Sequence, residues 1–245
     1  MLADEPLLTR TVDGVLTTTL NRPRHKNALS RALREELATL WEGVRSDPSV
    51  RCVVVTGTGD YFSAGADVSE LDDMRSDDEA RGIGFTPAEL DVPVVVALNG
   101  PCIGGALRFI CDADVVLATE EAWLRDPHVT LGISSGPMAL ELVSRGNPLA
   151  IAPLILGGSD ITMSPSDAHG AGLISEVVRA ERLAERTAEL SETFAAQPAT
   201  GMRAALQSLR SARSVLSEKQ RRSAWAATRQ NLALDSRDDV SMKEV

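Results

Sequence analysis

Aromatic residues are scarce in this chain of 245 residues: three tryptophans, four phenylalanines and one tyrosine, 3% of the total. The core must therefore be aliphatic, and a chain of this length can bury a substantial one. Cysteine is scarce too. Cys52, Cys102 and Cys111 show no CxxC spacing and an odd count, which argues against a disulfide framework and reads as reduced thiols in a cytoplasmic protein. No apolar run approaches the roughly 20 residues of a membrane span, and the acidic stretch from Met1 to Pro6 lacks the apolar segment of a secretory leader. Positive charge is in deficit: 25 Lys and Arg against 35 Asp and Glu leave a net charge of −10. Nucleic acid is thereby excluded as a general partner. One local exception is the basic cluster Arg22, Arg24, His25 and Lys26, which is either a patch for an anionic ligand or a solvated turn.

What is present is an alternation of strand and helix signals. Residues 9 to 20 read as a β-hairpin turning at Asp13-Gly14. Ser30 is placed as the N-cap of a helix with apolar residues at Leu33, Leu37, Leu40, Trp41 and Val44, ended by Pro48. Arg51 to Thr56 and Val92 to Leu98 are apolar strands with both faces covered, a helix begins near Gly104, and Asp114 to Thr119 is a further strand. This order predicts an α/β architecture. Ser69 to Glu89, rich in Asp and Glu with Gly82 and Gly84 behind them, reads as a partly helical, mobile segment poorly suited to core packing. From Gly136 onward the pattern is helical, with Pro148 and Pro165 at helix starts. Leu183, Leu190 and Phe194, then Met202, Leu206 and Leu209, then Leu216, Trp225 and Leu232 mark amphipathic helices. Their apolar faces need either this chain's core or a neighbouring subunit. The tail after Asp235 is polar and is expected to fray. We divide the chain into a core over 1–178 and a helical region over 179–245.

Two loops stand out, Phe62-Ser63-Ala64-Gly65-Ala66-Asp67 and Asn99-Gly100-Pro101-Cys102-Ile103-Gly104-Gly105. Each follows a β-branched run, and their small residues leave backbone N–H groups uncovered. The second runs into a helical pattern. Two convergent amides, one at a helix N-terminus, suit a polarised carbonyl oxygen. Further segments accompany them: Asn21-Arg22-Pro23 through Asn27-Ala28-Leu29, the run from Pro93 into the second loop, Leu131-Gly132-Ile133, and Leu156-Gly157-Gly158 through Ala168, Gly172, Leu173 and Ile174. In this order the segments resemble the crotonase family, which includes the enoyl-CoA hydratases and isomerases.

The resemblance implies a spiral of repeated ββα units with a C-terminal helical trimerisation region, trimers that often pair into hexamers, and an acyl-CoA thioester ligand with no separate cofactor and no metal. It implies that Arg24, His25, Lys26 and Ala28 lie beside the CoA phosphates and pantetheine arm, and that Ala64 and Ala66 border the adenine and pantetheine. The N–H groups of Ala66 and Gly105 would then hold the thioester oxygen, with Gly104 allowing close approach. Asp67 belongs to the same loop, either as a ligand contact or as its brace.

The two glutamates of the hydratases are absent. One matched position is Arg108 and the other is His128, in Pro127-His128-Val129, while Gly136 stands where some dienoyl isomerases and aryl-CoA dehalogenases carry aspartate. Arg108 cannot act as a base; it would bind a substrate carboxylate, stabilise negative charge, or pair with an acid such as Asp112. Imidazole as a side-chain type suits proton transfer near neutral pH, and His128 is a candidate general base or nucleophile, the alternative being a structural histidine. Asp126 would orient His128 or serve as acid/base itself. Cys111-Asp112-Ala113-Asp114 fits no common metal spacing, and Cys102 reads as packing. Three functions follow: hydrolysis or C–C cleavage of an acyl-CoA with His128 as base, hydration or isomerisation using a carboxylate such as Glu120, Glu121 or Asp126, or acyl-CoA binding without chemistry. The acidic 69–89 segment hints at a polar or short acyl group.

Overall fold

The structure, a computed structural model, describes residues 5–70 and 84–213, with Ser223 and Ala226 beyond them. It opens with the hairpin β1 (Leu7–Val12) and β2 (Val15–Leu20). Asp13 (φ 48°) and Gly14 (φ 80°) are both left-handed, as a two-residue turn matching the strand twist requires. Helix α1 (Arg31–Ser46) follows, with the Ser30 hydroxyl accepting from Leu33 N–H at 3.3 Å and with Leu33, Leu37, Trp41 and Val44 buried on one face. Next come β3 (Cys52–Gly57), β4 (Val94–Leu98), β5 (Cys102–Ile103) and α2 (Leu107–Asp112), then β6 (Val115–Thr119) and β7 (Leu124–Arg125). Helices α3 (Pro137–Arg145), α4 (Pro148–Leu156) and α5 (Pro165–Gly170) each begin on a proline. Strand β8 (Glu176–Val178) and helices α6 (Leu183–Ala195) and α7 (Ala199–Arg213) complete the described chain.

One six-stranded sheet runs β1-β2-β3-β4-β6-β8, antiparallel only at the first pair. Its central strands are buried on both faces, so they are continuous β-branched runs and not alternating ones. Val53, Val55, Val94 and Val96 point to the side filled by Leu33, Leu37 and Trp41. Cys52, Val54, Val95 and Ala97 point to the other, where Leu183, Leu190, Phe194 and Ala195 of α6 cover them. The apolar face of α6 is thus spent on this chain's own sheet. A second, small layer pairs β5 with β7, and bridges Leu29 to Ala66 and Ser63 to Cys102 extend it. Both loops singled out from the sequence lie in this layer.

The 69–89 expectation needs correction in its last part. Residues 71–83 lie outside the described residues, but Phe85, Thr86 and Leu90 are buried. The Phe85 ring meets Phe109 at 5.8 Å, Phe109 meets Phe62 at 5.6 Å, and the indole N–H of Trp41 donates to the Phe85 carbonyl at 3.0 Å. Acidic composition misled because Trp41, Phe62, Phe85 and Phe109, far apart in sequence, gather at one point of the core. Leu216, Trp225, Leu232 and the tail after Asp235 also lie outside the described residues. Cys52 and Cys102 are buried and free; burial, with the Asp114 charge adding, pushes the Cys52 thiol up to about 12, and burial raises Cys102 too. Among the described residues no helix is long and apolar enough to cross a membrane.

Candidate active site

Asn27 organises the first wall of the site. It is fully buried with φ 54°, a left-handed conformation that asparagine tolerates better than most side chains. Its side chain accepts from Arg22 N–H at 2.9 Å and donates to the carbonyls of Thr58 at 2.9 Å and Tyr61 at 2.7 Å. Its own carbonyl accepts from Ser63 Oγ at 2.8 Å. Ala64 N–H donates to Lys26 O at 2.9 Å and Leu29 N–H to Gly65 O at 2.7 Å, so the basic turn and the 62–67 loop form one unit. Sequence reading quoted Asn27 within a motif but did not assign it this role.

The basic residues divide. Arg24, His25 and Lys26 are exposed, and Lys26 Nζ lies 5.1 Å over the Tyr61 ring. Arg22, counted in the same patch, is turned inward and must be removed from it. Its guanidinium donates to Ala28 O at 2.6 Å and to Asp67 at 2.9 Å. Asp67 in turn accepts from Ser69 Oγ at 2.7 Å. The Ser69 hydrogen bond, then Arg22, hold the Asp67 carboxyl below the usual carboxylate range against the opposing effect of burial. Both Asp67 oxygens therefore serve the loop itself.

The two loops meet at Gly65. Ile103 N–H donates to Ser63 O at 3.0 Å, and the N–H groups of Phe62 and Ser63 reach Pro101 O at 3.1 and 3.2 Å. Gly65 has φ +86°, and a Cβ there would stand 2.5 Å from Ile103 O and 3.3 Å from Gly105 N. The backbone of Gly65, the neighbour of Ala66, thus lies against that of Ile103 and Gly105. Gly105 lies in the 3₁₀ turn Gly104–Ala106 that opens α2, where the first N–H groups have no partner within the helix. A Cβ on Gly105 would meet nothing within 4 Å, so its face is open. Gly104, at φ +54°, faces a third segment: a Cβ there would lie 3.6 Å from Pro127 Cδ and 3.9 Å from His128 Cε1.

That third segment brings an imidazole and a carboxylate together. Asp126 is fully buried, while the His128 side chain is 22% exposed. One Asp126 oxygen, Oδ1, meets His128 Nδ1 and accepts from the His128 backbone N–H at 3.3 Å. The other, Oδ2, accepts from Ser135 Oγ. A carboxylate only accepts, so a neutral imidazole paired with it through Nδ1 carries its proton there and keeps its lone pair on Nε2. Asp126 is committed on both oxygens and away from solvent. Its contacts within this segment are with His128 and Ser135.

Arg108 faces elsewhere. Its guanidinium pairs with Glu141 of α3 at 3.4 Å, both side chains 17% exposed. Burial opposes its charge, but the Glu141 and Asp112 carboxylates outweigh this and keep its pKa above the ordinary arginine value. Asp112, the acid one turn along, instead accepts from Thr86 Oγ1 at 2.6 Å, and Asp114 receives Arg210 at 2.6 Å. Glu120 and Glu121 are exposed on the turn after β6. No group of three metal-ligating side chains occurs among the described residues. A cleft of about 560 Å³ between α6 and the β1–β2 end of the sheet contains none of the site residues.

A family model described as enoyl-CoA hydratase/isomerase matches residues 10–240. The chain belongs to this family, the crotonases. It is 33% identical over 210 residues to the 2,3-dehydroadipyl-CoA hydratase of Escherichia coli, covering 82% of this chain and 80% of that one. It is 30% identical over 207 residues to mevalonyl-coenzyme A hydratase sidH of Aspergillus fumigatus, covering 80% and 74%. Among solved structures, an enoyl-CoA hydratase from Mycobacterium avium superposes with a TM-score of 0.83 at 29% identity, over 96% of this chain and all of that one. The α/β fold expected of a crotonase is thus the fold observed.

Proposed function

We propose that this crotonase is an acyl-CoA enzyme that cleaves its substrate with water. In this reading the N–H groups of Ala66 and Gly105 hold the thioester oxygen, and His128, aligned by Asp126, accepts a proton from water. The supporting observation is the His128 ring beside Gly104 with its Nδ1 spent on Asp126, which leaves Nε2 as the basic nitrogen at the mouth of the loop pair. Arg24, His25 and Lys26 are exposed on the adjoining turn and would meet the CoA phosphates. Ala28, Ala64, Ala66 and Gly104 would border the pantetheine arm, with Asp67 bracing them.

One base suffices for this chemistry. His128 takes a proton from water as the water oxygen bonds to a carbonyl carbon. On the thioester carbonyl, the negative charge falls on the oxygen held by Ala66 and Gly105; collapse then expels the CoA thiolate, which recovers the proton. On a β-keto carbonyl, the C–C bond breaks instead. The thioester enolate occupies the same two donors, and His128 returns the proton to the α carbon. Each such donor typically contributes about 10²–10³ in rate. Arg108, permanently protonated, has no part in proton transfer. We include assembly as a homotrimer or hexamer in this reading, with its contacts outside the inner face of α6.

A second reading, hydration of an enoyl thioester, is favoured by the likeness to the dehydroadipyl-CoA hydratase; His128 would then deliver the water proton to the α carbon. Mass spectrometry of saturated, α,β-unsaturated and β-keto thioesters incubated with the protein decides. Free CoA or a shortened acyl group is the expected result. A gain of one water on the enoyl thioesters transfers the assignment to hydration. An unchanged panel with a retained thioester leaves an acyl-CoA binder without chemistry.

A further inference from the structure

The loop from Leu131 to Gly136 returns to the same two residues twice. The N–H groups of Leu131 and Ile133 both donate to His128 O at 3.0 Å, fixing the backbone of the histidine. Ser135 Oγ then donates to Asp126 Oδ2, fixing the carboxylate behind it. Gly132 (φ +72°) and Gly136 (φ +56°) supply the left-handed corners at either end of this return. Ser135 is itself anchored, since its carbonyl accepts from Met138 N–H at 3.2 Å at the start of α3. The hydroxyl thus reaches Asp126 from a helix start and not from a free loop.

We propose that Ser135 is a positioning residue that sets which nitrogen of His128 is basic. This rests on the reading of His128 as the base. Contacts on both oxygens hold the Asp126 carboxylate in one orientation, with Oδ1 toward His128 and Oδ2 toward Ser135. It then presents Oδ1 as an acceptor alone, and the imidazole must bring a proton to it on Nδ1. Without Ser135 the carboxylate is free to rotate about its Cβ–Cγ bond, and Oδ1 is no longer held opposite Nδ1. The Nδ1–H tautomer then loses its fixed acceptor, the Nε2–H form becomes populated, and in that form the lone pair leaves the side facing the substrate. Outer partners of metal-ligating histidines fix the tautomer in this way, and their removal costs about 10- to 100-fold.

The test is the tautomer of His128, read by ¹⁵N NMR of the imidazole nitrogens on the protein without substrate. The chain has three histidines, and His169, whose Nδ1 lies 2.9 Å from Ile174 O, gives an internal standard for an Nδ1–H ring. The expected result is a single Nδ1–H tautomer for His128 in the parent protein and a mixture in Ser135→Ala. Turnover in that variant falls about 10- to 100-fold, KM stays near the parent value, and Ser135→Thr restores both. Ser135→Cys, a weaker donor of similar size, gives the intermediate case should the alanine variant fold poorly. An unmixed Nδ1–H tautomer in the alanine or cysteine variant overturns the proposal, whatever the turnover. Because no substrate is needed, that failure is separable from a failure of the cleavage reaction, which the thioester panel decides.

Discussion

The two halves of the site are built from different materials. In the proposed reading the loop pair at Gly65 and Gly105 acts through main chain: its side chains are small, and its position is secured many times over, by Asn27, by the Arg22–Asp67 pair and by the bridge from Ser63 to Cys102. The segment from Asp126 to Ser135 would act through side chains, and the contacts that aim its imidazole run through a single buried carboxylate. A main-chain receptor of this kind outlives changes in the residues around it. Acid/base groups, which in the proposed reading are His128 and its partner Asp126, do not. Binding and chemistry are therefore separable here, and substitutions in the two halves should fail in different ways.

The largest expected effect separates them outright. His128→Gln should reduce turnover by about 10²–10⁴ while thioester affinity, read by isothermal titration, changes little. A loss of affinity equal to the loss of turnover would erase the distinction between the halves. Within the loop pair, two glycines sharpen it further. Gly65→Ala forces a side chain into a left-handed backbone and against Ile103 O, and should cost about 1–3 kcal/mol in chemical denaturation. Gly105→Ala meets no atom within 4 Å, so the unfolding midpoint should hold while thioester affinity falls. Equal shifts in both midpoints would count against the open face at Gly105.

The smallest effect concerns pH. Because the folded pKa of Asp67 lies below its usual value, its contribution is complete above the unfolded carboxyl pKa of about 3.9. It disappears as pH falls through the lower folded value. Asp67→Asn should therefore cost about 1 kcal/mol or less at pH 7 and flatten the acid limb of the stability curve below about pH 4. Parallel acid limbs in the two proteins would show that the Arg22–Asp67 brace contributes nothing there.

Sequence made the local features legible. The Asp13-Gly14 turn, the Ser30 cap, the prolines at helix starts and both glycine-bearing loops are settled by residues within a few positions of one another. The partners it missed lie on other elements. Helical spacing suggested Asp112 for Arg108, but Glu141 on α3 takes the pair. Asn27 reads as a loop residue until Thr58 and Tyr61, 31 and 34 residues away, are folded over it. Ser135 lies near a matched motif, yet nothing in its neighbours signals that its hydroxyl turns back to Asp126. The helical pattern of Leu183, Leu190 and Phe194 gave a face in need of cover without saying what covers it; only the pairing of the strands shows that the sheet has a second side to fill.

The strand order β1-β2-β3-β4-β6-β8 follows the chain without a reversal. No strand has to be inserted between two that are already paired, so the sheet can grow from one edge as successive segments arrive. The residues from Asn27 to Ser135 all precede β8. Synthesis in chain order would supply both loops and the Asp126–Ser135 segment before the final edge strand pairs, and α6, which follows that strand, would cover the opposite face only afterwards.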